Sequence, residues 1–456
     1  MSAEHSDALV FFGATGDLAH KKIFPALQAL VKRGLLNAPI IGVARPGWTL
    51  ERLRARAKDS VEKNGGLDPE AFPKLAQLLR YAEGEYSNPA TYDRLRKALG
   101  NAKRPLHYLA IPPSMFGDVV RELGRSGSAD HARVVVEKPF GRDLESAREL
   151  NHTLHTVFPE SAIYRIDHYL GKEPVQNLLY FRFSNSFLEP IWNRTYVQRV
   201  DITMAEKLGL EGRGKLYEEM GAIRDVIQNH MLQLVATVAM DAPTNHQVEA
   251  FRDEKARVLR AIKPVTAEDV VRGQFEGYRK EPDVAPNSNV ETFAALRLHI
   301  DNWRWAGVPF FVRAGKRLPV SSGEVMVTFK PPPYSVFGED LCGSVRPNYL
   351  RFRLGPDVAI ALGVRSKVPG EVALGHEVEL LATRIEPGDG NAYARLLGDA
   401  IRGDAALFAR QDAIEAQWSV VDPILRNPTP LFTYAPGTWG PTETARLTEF
   451  PDCTDE

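Results

Sequence analysis

The chain has 456 residues, 44% of them hydrophobic, which suits two domains with real interiors better than one small core. Its 57 Lys and Arg are balanced by 58 Asp and Glu, so there is no basic excess to bind nucleic acid or an anionic membrane, and an anionic ligand must meet a local cluster of cations. With only Cys342 and Cys453, neither a disulfide framework nor a thiolate metal site is expected, and no metal site of any other kind is assigned.

In chain order, Ala8–Phe12 reads as a buried strand, followed by a helical stretch from Asp17 to about Arg33. Strands are expected next at Pro39–Ala44, Leu106–Ile111, Arg133–Glu137 and Ala162–Ile166. Strand–helix alternation of this kind predicts a parallel sheet covered by helices on both faces. After about Leu170 the rhythm changes. A long helix is expected over Glu218–Met240, then strands at Thr292–Ile300, Glu324–Phe329, Tyr349–Leu354, Val358–Val364 and Glu377–Leu381. Short turn signals between them, such as Gly355-Pro356-Asp357, predict antiparallel neighbours. Ala392–Ala416 reads as one more helix. The fold expected is an α/β Rossmann-type dinucleotide-binding domain over residues 1–170, then an α+β domain with a large, mainly antiparallel sheet over 171–456. The start, MSAEHSDALVFF, has no basic region leading into an apolar stretch, and no run reaches the length of a membrane span, so a cytoplasmic protein is expected.

The stretch FFGATGDLAHKK follows the first strand and opens the first helix. Gly13 and Gly16 allow a tight turn there, and free amides at a helix start attract phosphate. The spacing is GxxGxxA rather than GxGxxG, so its position after the first strand carries the reading. At the end of the second strand a ribose 2′-hydroxyl is usually met by an acid and a 2′-phosphate by Arg. Here IIGVARPG offers Arg45 and no acid, which favours NADP over NAD, with secondary use of NAD left open. The strand RVVVEKPFG ends in Glu137-Lys138-Pro139, where carboxyl ends of parallel strands line the ligand crevice, so Lys138 should face chemistry. Proline holds the preceding residue extended and permits a cis bond.

The segment YRIDHYLGKEP, residues 164–174, crowds an acid, an imidazole, a phenol and an ammonium. A helix starting here would put Asp167 near its cap, and His168 and Lys172 four apart on one face. An imidazole, an ammonium and helix amides make a phosphate site, to which Tyr169 could add a hydroxyl. Asp167 then needs a cation or a histidine. A candidate is His230, on the apolar stripe with Ile223, Val226, Ile227 and Leu234. A carboxylate that orients this ring would make a general base for removing a hydroxyl proton during hydride transfer.

Taken together, these residues resemble the glucose-6-phosphate dehydrogenase family nearly end to end. The resemblance is carried by GATGDLAHKK at 13–22, YLAIPPS at 108–114, EKPFG at 137–141, RIDHYLGKE at 165–173, EGRGKLYEEMGAIRDVIQNH at 211–230 and VRAGK at 312–316. YARLLGDAIRGDAALFARQD at 393–412 and the TYAPGTWGP tail add to it. The resemblance implies oxidation of β-D-glucose 6-phosphate to 6-phosphogluconolactone with NADP+, in the pentose phosphate pathway. It implies His230 as the base and Asp167 as its partner, with His168, Tyr169 and Lys172 on the sugar phosphate. Lys138 lies between sugar and nicotinamide, and Glu206, Asp225 and Lys316 contact sugar hydroxyls. Asp225 lies off the His230 stripe, so its role comes from the resemblance alone. Gly13, Thr15, Gly16 and Arg45 belong to the cofactor. A homodimer or homotetramer is implied, with the large sheet used in dimer contacts. Two departures stand out: Ser321 occupies a position where many relatives carry a second basic sugar-binding residue, so that either Arg317 compensates or substrate affinity is weaker, and the Ser321-Ser322 pair counts against a second, structural NADP site. Two alternatives remain on the residues themselves. An NADP-linked sugar oxidoreductase of the EKP type acting on an unphosphorylated sugar leaves the His168–Lys172 cluster without a purpose. A non-catalytic NADP-binding subunit has no need of His230 and Asp167.

Overall fold

A computed structural model describes residues 5–44, 46–334, 336–337, 347–370, 375–383, 391–427 and 429–448; Arg45, Cys342 and Cys453 lie outside them. Contacts divide the chain into two compact units. The first is Met1–Lys172 with Thr244–Arg252 and Asp389–Glu415; the second is Glu173–Pro243, Asp253–Gly388 and Ala416–Glu456. A single cut at residue 170 does not describe the two later segments that join the first unit.

The first unit is built on a sheet of β1 (Ala8–Phe12), β2 (Ile40–Ala44), β3 (Leu79–Glu83), β4 (Pro105–Leu109), β5 (Arg133–Glu137) and β6 (Ile163–Ile166). Their spatial order is β3-β2-β1-β4-β5-β6 and every pairing is parallel. This is the order of a doubly wound dinucleotide fold, with the order reversing beside β1. ALVFF, IIGVA and PLHYL are buried at every position, as central strands covered on both faces must be. Leu9, Phe11, Phe24, Leu27, Leu53, Tyr108 and Ile166 share one core with Leu396, Leu397, Ala400 and Phe408 from the returning segment. That segment is not the single helix expected over 392–416. It forms Ala392–Arg402 and Gln411–Arg426, parted at Gly403, whose φ of 79° closes the first helix in the left-handed region.

The second unit carries a nine-stranded sheet of β7 (Val197–Ala205), β8 (Val270–Phe275), β9 (Phe293–His299), β10 (Pro309–Gly315), β11 (Ser322–Phe329), β12 (Tyr349–Gly355), β13 (Ala359–Lys367), β14 (Gly375–Thr383) and β15 (Leu431–Tyr434). Its order is β14-β13-β12-β11-β7-β10-β9-β8-β15. Only β10 with β7 and β15 with β8 run parallel; the other neighbours are antiparallel. The expected long helix at 218–240 is three pieces. Gly214–Ala222 is followed by a π-helix over Ile223–Met231 and an α-helix over Leu232–Ala239. Gly221, at φ 64° and ψ 177°, breaks the first piece from the second. Among the described residues no helix is long and apolar enough to cross a membrane.

Candidate active site

In the first unit the glycine turn sits between β1 and the helix Phe24–Lys32. Gly13 has φ 78°, and a Cβ there would come within 2.1 Å of the Ala110 carbonyl oxygen, so only glycine fits. Its amide donates to the Tyr86 hydroxyl at 2.8 Å, and the Gly16 amide returns to the Gly13 carbonyl at 2.9 Å. Thr15 is half-buried inside this turn and Gly16 is exposed. Arg56 Nη2 donates to the Gly16 carbonyl at 3.2 Å. The Arg52 and Arg56 guanidinium groups also lie 4.4 and 5.7 Å from the centre of the Trp48 ring. Two cations thus stand beside the turn and the end of β2. This is a cradle a dinucleotide phosphate fits: a backbone with no room for a side chain, an exposed glycine and adjacent guanidinium groups.

β5 ends at Glu137, and the Lys138–Pro139 bond is cis. Glu137 is buried and accepts from the Tyr108 hydroxyl at 2.5 Å. Burial raises its carboxyl to about 7, with the Tyr108 hydrogen bond and the Lys138 charge opposing. Lys138 is half-buried at the carboxyl end of the sheet.

The segment after β6 does not begin a helix at Asp167; the helix starts at Glu173. Residues 167–172 instead make two consecutive tight turns, with the Leu170 amide on the Asp167 carbonyl and the Lys172 amide on the Tyr169 carbonyl. The Asp167 carboxylate secures the first turn by accepting the Tyr169 amide at 3.0 Å. Asp167 is buried, whereas His168 and Lys172 reach a common cavity of about 990 Å³. Lys21, Lys22, Lys32, Asn391 and Tyr393 line the same cavity. The His168 ring stacks on Tyr393, with centroids 6.2 Å apart and planes 11° apart. Lys172 Nζ lies 3.8 Å from the Tyr169 ring centre. The turns therefore do what a helix face was expected to do: they bring His168 and Lys172 to one pocket. Lys21, Lys22 and Tyr393 escaped the sequence reading. Lys21 and Lys22 stand in the AHKK that closes the glycine stretch, and Tyr393 opens the YARLLGDAIRGDAALFARQD stretch, so their positions were the available signal.

In the second unit, β7 and β10 run parallel and end together at Ala205 and Gly315, which delivers the next residues, Glu206 and Lys316, to one place. Lys316 Nζ lies 2.8 Å from Glu206 Oε2, with Lys316 buried and Glu206 half-buried. Tyr217 adds a ring centred 5.2 Å from Lys316 Nζ. Its phenol is pushed far up, first by burial and then by the charges of Asp225, Glu291 and Glu206. Asp225 thus belongs to the same neighbourhood.

His230 and Asp225 share the π-helix. In an α-helix, residues five apart point about 140° away from each other. Under i→i+5 bonding they come to the same flank of the helix. Asn229 supports the wide turn: its Nδ2 donates to the Arg224 carbonyl at 2.8 Å, and its Oδ1 accepts the His230 amide at 2.7 Å. A side chain inserted into the ladder in this way disrupts the ordinary i→i−4 pattern. The wide turn thus places Asp225 and His230 on one flank of the helix, which α-helical spacing would not do. His230 itself is buried.

Ser321 accepts the Lys207 amide at 3.0 Å. Arg317 turns its guanidinium to Glu281, 3.5 Å away.

A doubly wound parallel sheet with a glycine turn after β1 and a lysine at the end of β5 defines a nicotinamide-dinucleotide oxidoreductase. Residues 10–177 match the family described as "Glucose-6-phosphate dehydrogenase, NAD binding domain", and residues 179–452 match "Glucose-6-phosphate dehydrogenase, C-terminal domain". The chain belongs to the glucose-6-phosphate dehydrogenase family. It is similar to glucose-6-phosphate 1-dehydrogenase 1 of Mycobacterium tuberculosis (strain ATCC 25618 / H37Rv), with 42% identity over 440 residues that cover 96% of this chain and 93% of that one. Among solved structures, glucose-6-phosphate 1-dehydrogenase from Mycobacterium avium matches with a TM-score of 0.91 and 43% identity, covering 98% and 97% of the two chains. A glucose-6-phosphate dehydrogenase in complex with its substrate glucose-6-phosphate matches with a TM-score of 0.90 and 36% identity, covering 98% of each.

Proposed function

We propose that the chain oxidises β-D-glucose 6-phosphate at C1 to 6-phosphogluconolactone, with NADP+ as the preferred oxidant. The observation that carries this reading is the cationic cavity of the first unit, where His168 and Lys172 share one space with Lys21 and Lys22. Such a cluster suits a doubly charged phosphate and has no use for a neutral sugar. It therefore weighs against an EKP-type enzyme acting on an unphosphorylated substrate. A binding subunit without activity would not need an imidazole and a carboxylate in catalytic roles. The similarity to a relative whose structure holds glucose 6-phosphate supports the same choice.

In this reading His168, Lys172 and the Tyr169 hydroxyl hold the phosphate. Lys138 lies between sugar and nicotinamide, and Glu206, Asp225 and Lys316 orient the sugar hydroxyls. His230 takes the proton from the C1 hydroxyl while Asp167 orients the ring and stabilises the imidazolium formed. When bound, the nicotinamide supplies the hydride acceptor. Gly13, Thr15 and Gly16 receive the pyrophosphate, and Arg45 meets the 2′-phosphate, with Arg52 and Arg56 adding positive charge nearby. Residues 1–170, with the segments 244–252 and 389–415 that join them, then form the NADP domain, and the rest of 171–456 the domain for substrate and for assembly into a homodimer or homotetramer. A cytoplasmic location fits the reading.

The test is an absorbance assay of nicotinamide reduction that crosses glucose, glucose 6-phosphate and galactose 6-phosphate with NAD+ and NADP+, run on the parent and on His230→Asn. The expected result is strong preference for glucose 6-phosphate, and a loss of kcat in His230→Asn with substrate binding retained. Equal rates on glucose, or an unchanged kcat in the variant, would refute the assignment.

A further inference from the structure

The π-helix that carries Asp225 and His230 has to start at a defined residue, because shifting its first turn rotates everything after it. What marks that start is a side chain from another part of the second unit. The Ala222 amide donates to the Glu291 carbonyl at 3.0 Å, and the Ile223 amide donates to Glu291 Oε1 at 3.1 Å. One residue thus satisfies two successive amides at the helix start, with main chain and side chain together. Its carboxylate also lies where the helix dipole favours negative charge.

Glu291 is itself braced. It is buried, and Arg272 Nη2 and Nε lie 3.1 and 3.4 Å from its Oε2. Arg272 is buried too, and its guanidinium donates to the carbonyls of Thr429 at 2.9 Å and Asn289 at 2.7 Å. Gly221 makes room on the other side: a Cβ there would stand 2.4 Å from Glu291 Oε1. The next residue ties the same segment to Lys316. The Lys316 amide donates to the Thr292 carbonyl at 2.9 Å, and the Tyr434 hydroxyl bridges Thr292 Oγ1 at 3.0 Å and the Lys316 carbonyl at 2.7 Å. Residues 291–292 therefore hold both the start of the His230 helix and the strand end that presents Lys316.

We propose that Glu291, braced by Arg272, is a positioning residue for the dehydrogenation: it sets the start of the π-helix and so keeps Asp225 and His230 in register with Lys316. This rests on the reading of His230 as the base. Glu291 acts through the helix and touches no reacting atom.

Three variants test it, with His230→Asn measured alongside. Glu291→Asp keeps the charge facing Arg272 but draws the carboxylate back from the Ile223 amide. Glu291→Gln loses the charge but keeps an oxygen within reach of that amide. Gly221→Ala leaves both charges in place and crowds the Glu291 carboxylate from the helix side, while also straining its own backbone at φ 64°. If register is the function, kcat falls about tenfold or more in Glu291→Asp and Gly221→Ala, as a misplaced catalytic group requires, and Glu291→Gln retains more kcat than Glu291→Asp. KM for NADP+ stays at the parent value in all three. A role confined to stability predicts the reverse order, because Glu291→Asp preserves the buried ion pair and Glu291→Gln breaks it. Parental kcat in Glu291→Asp, or kcat that follows the melting temperature across the set, overturns the proposal. If Glu291→Asp does not fold, Gly221→Ala decides on the same criterion. A kcat lost in His230→Asn but kept in both Glu291→Asp and Gly221→Ala sinks this inference alone, whereas a kcat kept in His230→Asn sinks the reading beneath it.

Discussion

Replacing Glu137 by Gln removes a buried titration beside Lys138, and the size of its effect follows from the structure. Burial raises the Glu137 carboxyl from the ordinary 4.5 to about 7, against the opposing pull of the Tyr108 hydroxyl and the Lys138 charge. The folded chain therefore holds this proton more tightly than the unfolded chain. Between pH 4.5 and 7 the folded state binds more protons, so the stabilising contribution is complete below the unfolded value and is lost as pH rises through the folded one. At about 1.4 kcal/mol per pKa unit, the total change is about 3 kcal/mol. Gln keeps an oxygen for Tyr108 and stays neutral at every pH. The stability of Glu137→Gln relative to the parent should thus rise by about 3 kcal/mol between about pH 4.5 and pH 8. Urea unfolding followed at several pH values, with equal m-values confirmed, measures this difference. A difference that stays constant across the range would show that Glu137 titrates normally and would refute the burial argument.

Further predictions concern the two site regions. Lys172→Ala should raise KM for glucose 6-phosphate roughly 10- to 100-fold, the worth of a hydrogen bond to a charged group, with kcat less affected; an unchanged KM removes the lysine from the phosphate. Asn229→Leu takes away the amide that holds the Arg224 carbonyl, so the helix should relax toward α-helical register and kcat should fall about 100-fold; steady-state kinetics at parental kcat would show that the wide turn does not depend on Asn229. Gly13→Ala should weaken NADPH binding at least about tenfold in a fluorescence titration, since the new methyl meets the Ala110 carbonyl at 2.1 Å; equal affinity would mean that the turn can shift to admit it.

The first unit was readable because its strands are unbroken apolar runs, a pattern that ALVFF and IIGVA show without help from distant residues. β3 was missed because LRYAE has only five residues, covered at Leu79 and Ala82 with no strict alternation between, and follows a helix without a break. β7, β8 and β10 carry Arg, Asp and Gln along with their apolar residues, and only their neighbours in the sheet show them to be strands. The chemical types at the site were legible, and their geometry less so. RIDHYLGKE announced a charged pocket, yet the turns that shape it depend on where the Asp167 side chain bonds. The relation of Asp225 to His230 was hidden because periodicity analysis assumes 3.6 residues per turn, and the wide turn follows from bonds made by Asn229 and Glu291. Lys21, Lys22 and Tyr393 reach the cavity from segments far apart in sequence.

The helix Ala392–Arg402 has a bearing on how the protein is made. Leu396, Leu397 and Ala400 complete the interior around Leu27 and Leu30, and the Ile401 carbonyl accepts the Ser6 amide at 2.8 Å. A nascent chain released only as far as residue 172 has all six strands of the nucleotide-binding sheet but leaves that apolar surface facing water. Synthesis must run on for more than two hundred residues before the missing helix emerges. The early product should accordingly be a client for chaperones, and a fragment cut at 172 should aggregate where the full chain does not.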